Sequence, residues 1–322
     1  MKETVAAVLV TYNRKDLLVK CLDSLLKQSH PLDKIIVLDN ASTDGTTELL
    51  AEKGFLSSSV IDYVRMPKNI GGAGGFHEGT KKAYENDFDW IWLMDDDVAP
   101  LDCCLDGLLK YKSISKCIHP RKFYLNGDSF FWEGYLDERS GFQINFKDRS
   151  FPAKEWVPVG YGCFEGMLIH RDIIREIGFP RAMYFMNRDD TEYGYRACAY
   201  TTPIYIRDAS MIKLLDKRRD PPTALQCYLK FRNEVGYFSR KISRNKLFYT
   251  QMAIYHLVRA SLIQILILSP LGLFAVWYGF FCGIVEKWGD EKFFFGRRNV
   301  LGGHSLKLYR LMYNLYRFCK SY

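Results

Sequence analysis

The opening hundred residues alternate short apolar runs with amphipathic stretches. Val5 to Val10, Lys34 to Leu38, Val60 to Val64 and Trp90 to Met94 are apolar almost throughout, which predicts strands buried on both faces, as in a parallel sheet. Between them, Asp16 to Lys27 sets Leu18, Cys21, Leu22, Leu25 and Leu26 at helical spacing, and Thr43 to Glu52 and Phe76 to Asn86 read as the next helices. The order β-α-β-α-β-α-β predicts a doubly wound, Rossmann-like α/β domain with a mostly parallel central sheet, its ligands lying beyond the carboxyl ends of the strands. From residue 117 the pattern is mixed. A hairpin is expected around Phe130 to Phe146, then strands over Trp156 to Gly162 and Cys163 to His170. A short helix, Asp172 to Glu176, ends at Gly178; a second covers Asp189 to Tyr200, before a strand at Ile204 to Arg207. Residues 1–215 are read as one α/β domain, with halves 1–100 and 101–215, and 216–322 as a basic, aromatic helical region.

One late stretch departs from soluble patterning. Residues 260–285 carry no charge between Arg259 and Glu286, enough to cross a bilayer or lie along it. Ser269-Pro270-Leu271-Gly272 interrupts it, leaving Ala260 to Leu268 and Leu271 to Val285 as pieces each short for a span. Helices lying in the interface, or a shallow hairpin, are favoured; the competing reading is a buried hairpin in a homo-oligomer. Charge sharpens the contrast. Residues 205–322 hold 20 Lys and Arg against 7 Asp and Glu, net +13, whereas residues 1–204 hold 25 against 30, net −5. Lys241, Arg244 and Lys246 before the run, and Lys287, Lys292, Arg297 and Arg298 after it, suit anionic headgroups. A nucleic-acid groove has no use for such a run, so a membrane surface is expected and nucleic acid is not. With 322 residues, 48% hydrophobic and 25% charged, disorder and a small disulfide scaffold are excluded. Nine cysteines, an odd number with no C-x-x-C pair, fit a reducing compartment. The N-terminal MKETVAAVLVTYNRK does not read as a signal peptide.

Four polar segments fall at the expected strand ends: Thr11-Tyr12-Asn13, Asp39 to Asp44, Asn69 to Gly75 and Asp95-Asp96-Asp97. Three successive carboxylates at a sheet mouth repel one another and call for a cation, which suits a divalent ion shared with phosphate oxygens; a solvated acidic turn is the plain alternative. The glycine-rich segment Gly71, Gly72, Gly74, Gly75 matches neither G-x-G-x-x-G nor a P-loop. It leaves backbone open to a ligand or another chain segment, or turns into the next helix. Asp39 can accept from a base N–H or ribose, or belong to an Asx turn with Ser42 or Thr43 as helix cap, and Asn13 can cap the first helix. In Asp189-Asp190-Thr191-Glu192, Glu192 and Arg196 form an i,i+4 pair, which leaves Asp189 and Asp190 unexplained; a general base for a hydroxyl is the functional reading.

The ordered set TYN, DNASTDGT, NIGGAGGF, WLMDDD, DDTEYGYR and YLKFRN resembles the inverting glycosyltransferases of family 2, which have the GT-A fold, over about residues 4–240. NIGGAGGF and DDTEYGYR are most similar to the galactofuranosyltransferase and rhamnosyltransferase branch that builds bacterial surface polysaccharides. The resemblance implies Asp190 as catalytic base and Asp95 and Asp97 as ligands to Mg2+ or Mn2+. It implies Thr11, Asn13, Asp39, Asn69, Gly71, Gly72, Gly74, Gly75 and Asp96 on the nucleotide-sugar, UDP-galactofuranose ahead of dTDP-rhamnose. Lys213 stands where a metal-ligating histidine is expected, and would instead pair with phosphate oxygens. Trp132, Glu133, Glu165, Asp189 and Glu192 are assigned to a lipid-linked saccharide acceptor, at the cytoplasmic face of the inner membrane, peripheral or monotopic.

Overall fold

A computed structural model describes residues 3–145, 155–215, 222–289 and 293. The chain forms two units, Met1–Leu136 with Gln143–Asp216 and Asp137–Phe142 with Lys217–Tyr322.

In the first unit the four early strands are β1 (Val5–Thr11), β2 (Lys34–Asp39), β3 (Ile61–Arg65) and β4 (Trp90–Asp95), alternating with α1 (Lys15–Leu26), α2 (Thr46–Glu52) and α3 (Gly71–Glu85). They pair in parallel in the order β4-β1-β2-β3. Every residue of β1 is buried, as its unbroken apolarity requires. Val5, Ala7 and Leu9 pack on one face with Leu18, Leu22 and Leu25 of α1, while Ala6, Val8 and Val10 pack on the other with Phe76 and Ala83 of α3. Each such side chain contributes roughly 1.5–3 kcal/mol relative to exposure.

The later elements are β5 (Val98–Pro100), α4 (Cys104–Leu109), β6 (Cys117–Tyr124), β7 (Ser129–Phe130), β8 (Gly134–Leu136), β9 (Gln143–Asn145), β10 (Trp156–Pro158), β11 (Met167–His170), α5 (Arg171–Ile177), α6 (Asp189–Ala197) and β12 (Ile204–Lys213). They extend the sheet to β10-β12-β6-β11-β4-β1-β2-β3. The pair β12 and β6 is parallel, whereas β11 enters antiparallel between β6 and β4. The sheet is therefore mixed, with a wholly parallel N-terminal half.

Several elements differ from expectation. The strand β6 was not anticipated, because His119, Pro120, Arg121 and Lys122 break its apolar pattern. The single hairpin becomes two pairings, β6 with β7 and β8 with β9; its expected end, Phe146, lies outside the described residues. Gly166, with φ of 93°, shortens the expected Cys163 to His170 strand to Met167–His170. The Ile204 strand runs on to Lys213 after a register shift between Tyr205 and Ser210.

In the second unit, α7 (Ala224–Lys230) opens with a capping box from Thr223 and Gln226 and leads through a π-helical stretch, Phe231–Phe238, into α8 (Ser239–Ile242). Two longer helices follow, α9 (Lys246–Leu266) and α10 (Pro270–Ile284). Ser269 caps α10 with Pro270 in its first turn, so the Ser-Pro break is a helix start. The inward residues of α10 are small, Gly272, Ala275, Gly279 and Gly283, and Gly279 lies so near the Tyr228 carbonyl that a Cβ would meet it at 2.3 Å. Large apolar residues face outward instead: Ile254, Val258, Leu262 and Ile265 on α9, and Phe274, Trp277, Phe281 and Ile284 on α10. Among the described residues no helix is long and apolar enough to cross a membrane. Of the expected basic flanks, Lys241 pairs with Glu286 and Arg244 with Glu138; Lys292, Arg297 and Arg298 lie outside the described residues.

Candidate active site

The sheet order reverses between β1 and β4, so the crevice beyond their carboxyl ends is where a ligand fits. Val10 is level with Asp95 and Thr11 with Asp39. At the end of β4 the chain turns at once, which buries Asp96 and Asp97 and leaves Asp95 partly open. Thr11 donates to Asp96 (2.7 Å), and Arg14 reaches both Asp96 and Asp97 (3.0 Å each). Lys213, at the end of β12, donates to Asp97 (2.6 Å) and to Glu165. Carboxylate oxygens of Asp95, Asp97 and Glu165 lie within 4.8 Å of one another.

The electrostatics follow from this crowding. Burial and then the Asp97 charge push the Asp95 carboxyl well above its usual range, against the pull of Lys213. Burial also raises Asp96 and Glu165, partly offset by Arg14 and Lys213 respectively. For Lys213 itself burial works the other way, yet Glu165, Asp95 and Asp97 hold it above the ordinary lysine value; it is an ammonium. Glu165, expected on the acceptor, thus belongs to the carboxylate cluster. Arg14 was not anticipated; its only signal was the basic pair following TYN at the end of β1.

Around Asp39 the polar groups bind chain to chain. One Asp39 oxygen accepts from the Ser42 amide (2.8 Å) and the other from the Tyr63 hydroxyl (2.5 Å), and burial followed by that bond pushes the Tyr63 hydroxyl up to about 12. Asn13, with φ of 53°, accepts at its side-chain oxygen from the Thr43 amide (2.7 Å) and donates from its own backbone amide to the Ser42 hydroxyl oxygen (2.9 Å). It is not a helix cap: Arg14 occupies that position in α1, and Gly45 rather than Ser42 or Thr43 does so in α2.

Gly71 to Gly75 form the first turn of α3, not a free loop. Asn69 accepts from the Gly71 amide (2.8 Å). A Cβ at Gly71 (φ 77°) would meet the Phe185 carbonyl at 2.1 Å, one at Gly74 would strike Ile70, and one at Gly75 would strike Val10 at 2.5 Å. Only Gly72 faces open space. Three of these glycines therefore serve close chain packing, and the backbone offered to a ligand narrows to Gly72.

The same Phe185 carbonyl accepts from the Ala73 amide (3.1 Å), tying α3 to the segment that delivers α6. That segment is strained: Phe185, Asn187 and Arg188 all have φ between 63° and 71°, each costing of order 1–3 kcal/mol. Asp189 and Asp190 follow directly. Burial, then the Asp190 charge, pushes Asp189 up to about 7, and burial raises Asp190 against the Thr191 amide, 2.6 Å from its Oδ1. The Cys163 thiol, raised mainly by burial, feels the charges of both Glu165 and Asp190. Both carboxylates thus lie within electrostatic range of Cys163.

The remaining acceptor candidates scatter. Trp132 is 48% exposed, as a platform for a ring requires. Glu133 is fully buried in an ion pair with Lys122, near His119 (3.7 Å), and supports the chain from beneath. Glu192 is ion-paired with Arg196 (2.9 Å) and Arg181 (3.4 Å). His304 lies outside the described residues.

An α/β domain with a carboxylate cluster at its topological switch point defines a class of open-sheet folds that bind ligands in this crevice, and comparison with known proteins narrows it. The family model described as "Glycosyl transferase family 2" matches residues 6–178, more than half the chain, and the chain belongs to that family. Asp190 lies beyond the matched segment. The protein described as Galactofuranosyltransferase GlfT1 of Mycobacterium tuberculosis is 40% identical over 201 residues, 60% of this chain and 64% of that one. Its namesake in Mycolicibacterium smegmatis is 30% identical over 197 residues, 59% and 64% of the respective chains. This chain thus spans less than two thirds of those relatives. A solved structure titled GalNAc-T7 with UDP, GalNAc and Mn2+ superposes with a TM-score of 0.55 at 14% identity, covering 68% of this chain and 45% of that one. It shares the fold.

Proposed function

We propose that the protein is an inverting glycosyltransferase that moves galactofuranose from UDP-galactofuranose to a hydroxyl of a lipid-linked glycan, in the making of bacterial cell-surface polysaccharide, at the cytoplasmic face of the inner membrane. The observation that carries this reading is the Asp95–Asp97–Glu165 carboxylate cluster at the β1/β4 switch point of a chain whose residues 6–178 match the family model. The 40% identical relative named a galactofuranosyltransferase supports the donor.

In this reading the donor lies across the β1/β4 crevice, its base near Asp39 and Asn13. Three clustered carboxylates, one with a buried oxygen (Glu165 Oε2) lacking a partner, fit a hard Mg2+ or Mn2+ ion. When bound, that ion neutralises charge on the departing nucleotide diphosphate. Asp190 takes the proton from the acceptor hydroxyl. The freed oxygen forms its bond to the anomeric carbon as the carbon–phosphate oxygen bond breaks on the opposite face, inverting configuration. Trp132 offers a face for an acceptor ring.

A donor screen read by product mass tests this: purified protein, a lipid-linked acceptor, and UDP-galactofuranose or dTDP-rhamnose. Galactofuranosyl product is expected. A rhamnosyl product would move the enzyme to the other branch, and no product from either donor counts against the whole reading.

A further inference from the structure

The cluster sets four carboxylates, Asp95, Asp96, Asp97 and Glu165, beside two cations, Arg14 and Lys213. The cations divide the work unequally. Arg14 binds Asp96, outside the metal-fitting trio, and the Oδ2 of Asp97, within it. Lys213 binds the Oδ1 of Asp97 and the Oε1 of Glu165, two of the three groups that would hold an ion. Its side chain is 15% exposed, so the ammonium is not sealed in.

An ammonium seated on these oxygens disfavours a divalent ion beside it. Each oxygen has lone pairs to spare, but two cations a few ångströms apart in a part-buried site repel by far more than thermal energy. We propose that Lys213 is a resident counter-cation that competes with the divalent ion for Asp97 and Glu165, so that the site takes up its ion only together with the nucleotide diphosphate. The diphosphate supplies the missing element: its oxygens give the displaced ammonium an anionic partner, and ion and nucleotide each favour binding of the other. The donor-free enzyme then holds a lysine where a stand-alone metal enzyme holds an ion. This inference rests on the nucleotide-sugar reading above and concerns the order in which that site fills.

Calorimetric titration of the full chain with Mn2+, with and without saturating UDP, tests it on the wild type, Lys213→Met and Lys213→Arg. The wild type is expected to bind Mn2+ at least about tenfold more tightly with UDP than without. Lys213→Met should bind Mn2+ alone at least about tenfold more tightly than the wild type and lose most of the dependence on UDP. Lys213→Arg, which keeps the charge, should behave as the wild type. If Lys213→Met does not fold, as judged by circular dichroism, Lys213→Gln carries the same expectation, since it can still hydrogen-bond without charge. Two results overturn the proposal: UDP binds the wild type but leaves Mn2+ affinity unchanged, or the folded neutral variant binds free Mn2+ no more tightly than the wild type. Failure of the wild type to bind UDP under any condition overturns the nucleotide-sugar reading, and this proposal with it.

Discussion

Asp190 is asked to be a base in surroundings that disfavour its charge. Burial raises its carboxyl, and Asp189 beside it is pushed up to about 7, so the two titrate as a pair. The sign is fixed by the role: a base acts only when deprotonated, and a raised pKa keeps it protonated further up the scale. kcat/KM should therefore rise with pH through an apparent value above the usual carboxylate range. Asp190→Asn should lower kcat by about 10²–10⁴-fold while leaving UDP affinity in place. A variant within tenfold of the wild type, showing the same acidic limb, would remove Asp190 from the reaction. Residue chemistry was only partly legible in the sequence. The triplet Asp95 to Asp97 announced itself by following an apolar strand. Arg14 did not, and Glu165 and Lys213 entered only through the family resemblance and in other roles, because these contacts join positions 83, 48 and 116 residues apart, which no local pattern records.

Among the elements, α3 shows how a glycine run can be read correctly as unusual and wrongly as a loop. Low side-chain bulk lets the helix lie against β1: a Cβ at Gly79 would come within 2.4 Å of Val8, whereas one at Gly72 would meet nothing within 4 Å. The two positions thus give opposite expectations. Gly79→Ala should destabilise by about 1–3 kcal/mol through overpacking, and Gly72→Ala should stabilise by about 0.5–1 kcal/mol through lost chain freedom in the unfolded state. Thermal melts of both check it, and equal shifts would refute the packing account. The early strands were legible because burial on two faces leaves nothing but apolar residues. The strand β6 was hidden because Lys122 is buried against Glu133, a polar pair whose members each read as surface residues until they are brought together.

At the scale of the whole molecule, α9 and α10 both carry large apolar residues outward, and α10 turns Trp277, Phe281 and Ile284 out while burying mostly small ones, Gly272, Ala275, Gly279, Cys282 and Gly283, with Val276. On the proposed reading this surface rests in the bilayer interface rather than passing through it. Co-sedimentation should show the protein on vesicles of mixed neutral and anionic lipid, and the double variant Trp277→Glu, Phe281→Glu should leave most of it in the supernatant. Equal sedimentation of both would disprove lipid contact through α10. An enzyme pinned flat to a bilayer meets tethered acceptors by lateral diffusion, and its rate then answers to molecules per unit area, not per unit volume. Spreading the same quantity of acceptor over more inert lipid would slow it, though nothing in the bulk solution had changed.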